Sequence, residues 1–200
     1  MNFQLSSLFS EKKAAEAAAY FLIRARERSA NITLLKLMKL MYLAERESYE
    51  KYGFPIIGDR LVSMPHGPVL SRTLNLMNFG NSEENPDWYS LVADKSGRDM
   101  TLNAGAPDTV EGLLELSDAD ANILESTWRK FGRMSANQLR DYTHDPRNCP
   151  EWQDPDGSSV TIEVDSLLCN LGYAPDAITS IMESIRNQAL LNSKLLPLEG

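Results

Sequence analysis

Histidine and cysteine are scarce in this 200-residue chain, two of each, and no apolar run approaches the length that crosses a bilayer. Spanning takes about twenty consecutive apolar residues, so the chain reads as soluble. Cys149 and Cys169 lie in no Cys-x-x-Cys motif, and no basic start, apolar run and small-residue cleavage site are combined at the beginning. The expected compartment is therefore a reducing cytoplasm. Gly-x-Ser-x-Gly, Gly-x-x-x-x-Gly-Lys and His-Glu-x-x-His are all missing, which removes the commonest hydrolase, phosphate-loop and zinc-protease signatures. A metal would have to be held by His66, His144, Cys149, Cys169 and carboxylates, and the five-residue spacing of His144 and Cys149 lacks the two close ligand pairs of a structural zinc site. Either cysteine could pair with either histidine, with Glu45 or Asp145 orienting the imidazole, but nothing local selects such a set.

What is present is charge, unevenly placed. The formal net charge is −8; residues 1–80 hold eleven Lys or Arg against seven Asp or Glu, whereas residues 81–200 hold nine against twenty-one. An acidic second part repels phosphate backbones and attracts basic protein surfaces. Nucleic-acid binders instead gather Lys and Arg into one footprint, and a simple solvated surface accounts for the same numbers.

Capping signals set out the helices. Ser10 is placed to cap a helix over residues 11–28, in which Ala14, Ala18, Phe21 and Ala25 recur at helical spacing. Asn31 or Thr33 opens the next, which runs to about Lys51 and stops at Gly53, where a left-handed residue is needed. Residues 59–64 look extended; Pro65 and Pro68 then bracket a rigid turn leading into a short helix at Val69–Met77, ended by Gly80. Trp88–Val92 and Asp99–Leu102 flank Asp94-Lys95-Ser96-Gly97, which suits a β-hairpin. Ser117 with Asp120 starts a helix that stops at Gly132, and Ser135 with Gln138 starts another that reaches about Tyr142. The proline-rich loop Asp145–Gly157 is expected to be anchored by Trp152, with a short strand following at Val160–Val164. Pro175 opens a last helix striped by Ile178, Ile181, Met182, Ile185 and Ala189, before Leu195-Leu196-Pro197-Leu198 ends as a mobile tail. The pattern predicts a mainly α-helical α+β protein, one compact domain of about six helices with a small antiparallel sheet or hairpin. A chain of this length buries roughly two-thirds of its unfolded surface and needs neither disulfide nor metal to fold.

The second helix carries the most information. At 100° per residue Lys36, Lys39, Arg46, Glu47 and Glu50 fall on one side, expected to be exposed, while Leu34, Met38, Met41, Tyr42 and Tyr49 fall on the other. Glu45 lies within the apolar side, where a carboxylate must be paired, hydrogen-bonded or protonated; Arg60 and His66 are the candidate partners. A histidine between prolines, as His66 is, suits a base or a pH switch, but is more commonly a satisfied buried group.

Lys36-Leu37-Met38-Lys39-Leu40-Met41-Tyr42, Gly53, Gly67-Pro68-Val69, then Ser135, Leu139, Thr143-His144 and Trp152 follow one another in this order. The series resembles the Panacea domain of SocA-like antitoxins, known also from phage-associated proteins, over roughly Ile32 to Trp152; His66 departs from an often aromatic position. The resemblance implies an antitoxin that binds a cognate protein toxin and blocks it by direct contact. A second mechanism within the family is delivery of the toxin to a ClpXP-type protease. It implies a domain over residues 1–165 including the first helix, with residues 166–200 as a helical extension packed on it, and it implies no cofactor, metal or catalytic residue. Some relatives carry a DNA-binding domain, for which about thirty residues before the matched region leave little room, so nucleic-acid binding is disfavoured; self-association is left open. Lys36, Lys39, Arg46, His66 and Val69 are the expected partner-binding residues. Tyr42, Glu45, Gly53, Gly67, Pro68, Thr143, His144 and Trp152 are expected to maintain the motif's structure. An enzyme built on a histidine–cysteine or carboxylate site and a DNA-binding regulator rank behind the two antitoxin mechanisms.

Overall fold

The computed structural model describes residues 8–195. In chain order the elements are α1 (Glu11–Glu27), β1 (Ile32–Thr33), α2 (Leu34–Tyr52), β2 (Leu61–Met64), β3 (Gly67–Leu70), α3 (Ser71–Phe79), α4 (Pro86–Leu91), β4 (Asp99–Met100), α5 (Asp118–Phe131), α6 (Ala136–His144), β5 (Val160–Thr161), α7 (Val164–Asn170) and α8 (Pro175–Leu195), with a short 3₁₀ turn at Val110–Gly112. This is the mainly helical α+β arrangement expected, with eight α-helices among the described residues in place of about six. The small sheets are antiparallel: β1 pairs with β4, and β3-β2-β5 form the second. The tail expected around Leu195-Leu196-Pro197-Leu198 lies, past Leu195, outside the described residues.

α2 is the central element, packed against α1, α5, α6 and β3. Its ends are fixed as its sequence dictates: the Thr33 hydroxyl accepts the Lys36 amide, and Gly53 closes the helix at φ +64°. A β-carbon at Gly53 would stand 2.9 Å from Ile181 Cδ1, so this glycine also lets α8 approach. The alanines of α1 are buried almost without a break from Ala14 to Ala19, which permits close packing on α4, α2 and α5. The capping boxes at Ser117/Asp120 and Ser135/Gln138 both form, opening α5 and α6. Ile185 and Ala189 of α8 are buried, and Ile185 belongs to the main core cluster.

Three expectations fail. Trp88–Val92 is not the arm of a hairpin: Pro86–Leu91 is helical, and only isolated bridges, Val92 with Leu102 and Ser96 with Asp99, survive of that pairing. The Glu11 carboxylate accepts the Trp88 amide at 3.0 Å and the Asn85 side chain at 3.2 Å, capping α4 from another helix. The helix expected at Val69 starts at Ser71, because Gly67–Leu70 pairs in register with Leu61–Met64. The Ser71 amide donates to the Arg60 carbonyl, and the next two, at Arg72 and Thr73, donate to the Asp59 carboxylate. Finally, the strand after the proline-rich loop is only Val160–Thr161, and Val164–Asn170 is helical.

A device recurs through these contacts. Glu16, Glu45 and Asp59 are buried carboxylates, and each accepts backbone N–H groups from a segment that would otherwise lack partners. These bonds set the course of three connections.

Candidate functional site

The residues that the sequence singles out converge where α2 passes beneath the β2–β3 hairpin. Pro65 and His66 form the two-residue connection, and both are exposed. Directly below, Lys39 is 0% exposed and its Nζ donates to the Pro68 carbonyl at 2.6 Å. Gly67, at φ +92°, closes the arrangement: a β-carbon there would lie 2.8 Å from Lys39 Nζ, 2.8 Å from Thr143 Oγ1 and 3.3 Å from His144 Nε2. Only glycine accepts both that backbone angle and that crowding.

The loop after α6 completes the corner. Trp152 Nε1 donates to the Met64 carbonyl at 3.1 Å, and its ring centroid lies 4.2 Å from that of His144. The Gln153 amide donates to Ser63 Oγ. One and two helical turns beyond Lys39, the Tyr42 hydroxyl and the Arg46 guanidinium both donate to Glu151 Oε1, at 2.7 Å and 2.8 Å. Glu151 is buried, and this charge pair ties the loop to α2. Thr143 Oγ1 donates back to the Arg140 carbonyl.

Burial dominates the electrostatics of the corner. Burial pulls the Lys39 ammonium down to about 7. Burial, followed by the nearby Lys39 charge, lowers His144. Burial, reinforced by Glu151, pushes the Cys149 thiol up to about 12, so it is held as the poorly nucleophilic thiol. No three His, Cys, Asp or Glu side chains among the described residues converge as metal ligands. Cavities of about 450 Å³ and about 240 Å³ lie elsewhere on the molecule and include none of the motif residues of this corner.

The expected exposed face of α2 is mostly covered. Lys39 is fully buried, Arg46 is bonded to Glu151, and half-buried Lys36 donates to the Gly132 carbonyl at 2.8 Å. The physical reason is that α5, α6 and β3 pack around α2, so amphipathic spacing misjudged which polar residues meet water. Val69 is buried too, which leaves His66 as the one expected partner-binding residue fully at the surface. His66 is thus not a satisfied buried histidine, and neither it nor Arg60 serves Glu45. The Glu45 carboxylate is indeed buried, and it accepts the amides of Ile56, Ile57 and Gly58. Arg60 donates instead to Ser71. Trp152 anchors its loop as expected. Glu151, which the sequence reading did not select, is central here, and its only local signal is its place between Pro150 and Trp152.

The family model described as antitoxin SocA-like, Panacea domain, matches residues 37–153. That span is more than half of the chain, and the chain belongs to this family. The matched region begins within α2 and ends immediately after Trp152, so it encloses every piece of the corner. No curated protein and no solved structure matches the chain.

Proposed function

We propose that this protein neutralises a cognate protein toxin by direct contact, with the Pro65–His66 tip as part of the recognition surface. The observation that carries this reading is the contrast within the corner: an exposed tip stands on a foundation fixed by Lys39, Thr143, His144 and Trp152, all within the family-matched span. A tip fixed before association loses little entropy on binding. A protein partner also fits the fate of the basic residues in the first eighty positions. Lys13 bridges Asp120, Arg24 bridges Glu27 and Glu125, Arg46 bridges Glu151, and the Arg28 guanidinium lies over Trp128. These four cations serve partners inside the molecule.

Growth rescue tests the proposal. Reading frames adjacent to the one encoding this chain are expressed singly, and any that arrests growth is co-expressed with it. Rescue with an unchanged toxin level and a stable complex on gel filtration is the expected result. Rescue that requires a ClpXP-type protease and lowers the toxin level would assign delivery in place of inhibition; failure to rescue from any toxic frame would remove both. In the direct mechanism, His66→Glu at the exposed tip should weaken the complex about tenfold while leaving the fold intact.

A further inference from the structure

We infer that His144 is a proton-operated latch on the exposed tip: a proton taken up by its ring frees Trp152 and the hairpin above it, and partner binding through the tip weakens in acid. The partner half of this rests on the antitoxin reading; the latch itself is a property of the chain alone. His144 ends α6 and is half-buried, with its ring centroid 4.2 Å from that of Trp152 and the two planes tilted by 39°. The Trp152 indole in turn donates to the Met64 carbonyl, immediately before Pro65 and His66. Two contacts therefore link the imidazole to the tip.

One edge of the ring is shut from water. His144 Nε2 is buried and has no hydrogen-bond partner among the described residues. It faces the same point of the hairpin backbone as a second nitrogen: a β-carbon on Gly67 would stand 3.3 Å from Nε2 and 2.8 Å from Lys39 Nζ. Lys39 Nζ already donates to the Pro68 carbonyl at 2.6 Å. A neutral imidazole suits this place with its proton on Nδ1, because the Nε2 lone pair then looks toward an amine that donates. An imidazolium would bring a second N–H and a second positive charge into it.

The surroundings are set against that second charge. Burial comes first in lowering His144 from its ordinary 6.5, joined by Lys39 of α2, Arg140 of α6 and His66 of the hairpin. Asp141 pulls the other way, but its carboxylate is already bonded to Arg140 at 2.7 Å. Of the acids on the adjoining loop, Glu151 pairs with Arg46 and Asp145 with Arg147, and Cys149 is held as the thiol. A group whose folded value is depressed supports the fold above that value and loses its contribution as pH falls, so the closed tip is favoured at neutral pH. Lys39, at about 7, is mostly ammonium where the imidazole titrates, below 6.5. There the ring gains by turning its charge out to water, which gives up the Trp152 stack and the support beneath Met64.

The test uses the full chain, labelled with ¹⁵N and followed from about pH 7.5 down to about pH 5. At the upper end the ring nitrogens of His144 should show the neutral form with its proton on Nδ1. As the ring charges, below 6.5, the Trp152 indole signal should move with it. The paired Met64 and Gly67 amides should lose exchange protection beyond the intrinsic effect of pH. His144→Phe keeps a ring against Trp152 and has nothing to protonate, so both responses should vanish. His66→Gln, at the exposed tip, should retain them, and this variant with the wild type decides the matter where His144→Phe fails to fold. A His144 that titrates at or above 6.5, carries its proton on Nε2, or charges without moving the Trp152 indole would overturn the latch. With a toxin supplied by the growth assay, the wild-type complex should bind about tenfold more weakly at about pH 5.5 than at about pH 7.5, and the His144→Phe complex equally at both. Equal binding of the wild type at both rejects the link to the partner while the free-chain titration stands, whereas a chain that rescues nothing rejects the antitoxin reading itself.

Discussion

Glu45 and Lys39 are both fully buried on α2, and their charges are accommodated in opposite ways. The Glu45 carboxylate receives three consecutive amides, a small shell of donors that substitutes for water, whereas Lys39 has the Pro68 carbonyl as its hydrogen-bond acceptor. Removing the acceptor of three amides leaves buried donors unsatisfied, each costing about 1–3 kcal/mol. Glu45→Ala should therefore lose about 3 kcal/mol or more of unfolding free energy in a urea titration, and more than Glu45→Gln, which keeps one accepting oxygen. Gly67 supplies a second comparison at this scale. Gly67→Ala combines an unfavourable φ with contacts of 2.8 Å to Lys39 and Thr143, whereas Gly157, at φ +81°, has open space around it. Gly157→Ala should cost about 1 kcal/mol from the backbone alone. Gly67→Ala should add the cost of overpacking, about 1–3 kcal/mol, and a difference below 1 kcal/mol between the two would show that the corner yields without loss.

At the scale of elements, the helices that the sequence announces are those whose end signals lie within a few residues. Ser10, Ser117 with Asp120 and Ser135 with Gln138 cap as read, and of Asn31 and Thr33 it is Thr33 that caps α2, because each bond closes over three residues. α4 and α3 were missed or misplaced because their caps come from far along the chain, Glu11 for one and Asp59 for the other. Trp88–Val92 has a strand-like composition; Pro86 and Asp87 in the first turn, together with the Glu11 carboxylate on the Trp88 amide, decide for helix. β3 was hidden for a related reason: its pairing with β2 depends on a two-residue connection and on Lys39 rising from below to meet Pro68. The distant cap of α4 is testable. Glu11→Ala should cost about 1 kcal/mol, and hydrogen exchange should show the amides of Trp88–Val92 losing protection while those of α5 keep theirs. Equal loss in both helices would mean that Glu11 supports the whole fold and not this element.

The candidate site belongs to the molecule as a whole, since α2, the hairpin, α6 and the loop through Trp152 each contribute one wall. Its residues were legible in the sequence as a series of anchors, but which of them face water was not: α2 is enclosed on several sides, and helical periodicity reports only one. That enclosure has a consequence for stability against pH. Burial, against the pull of its three amides, pushes Glu45 up to about 7 from 4.5, so between those values the folded chain keeps a proton that the unfolded chain has released. Stability from this group is full below pH 4.5 and is lost as pH rises through 7. Lys39 behaves in the reverse sense. Its folded value of about 7 lies below 10.5, the unfolded chain holds the extra proton in that window, and stability rises with pH above 7. Cys149, raised from 9.0 to about 12, opposes Lys39 above pH 9, so the window from 7 to 9 isolates the lysine. His144, lowered from 6.5, opposes Glu45 below that value, which makes difference curves the right measurement. Subtracting the unfolding free energy of Lys39→Met from that of the wild type should give a line that rises between pH 7 and 9, by up to about 1.4 kcal/mol per unit. The same subtraction for Glu45→Gln should give a line that falls between pH 5 and 7. A flat Lys39→Met difference would mean that the amine keeps its proton in the folded state, and that the foundation of the corner is a charged ammonium at every pH where the protein works.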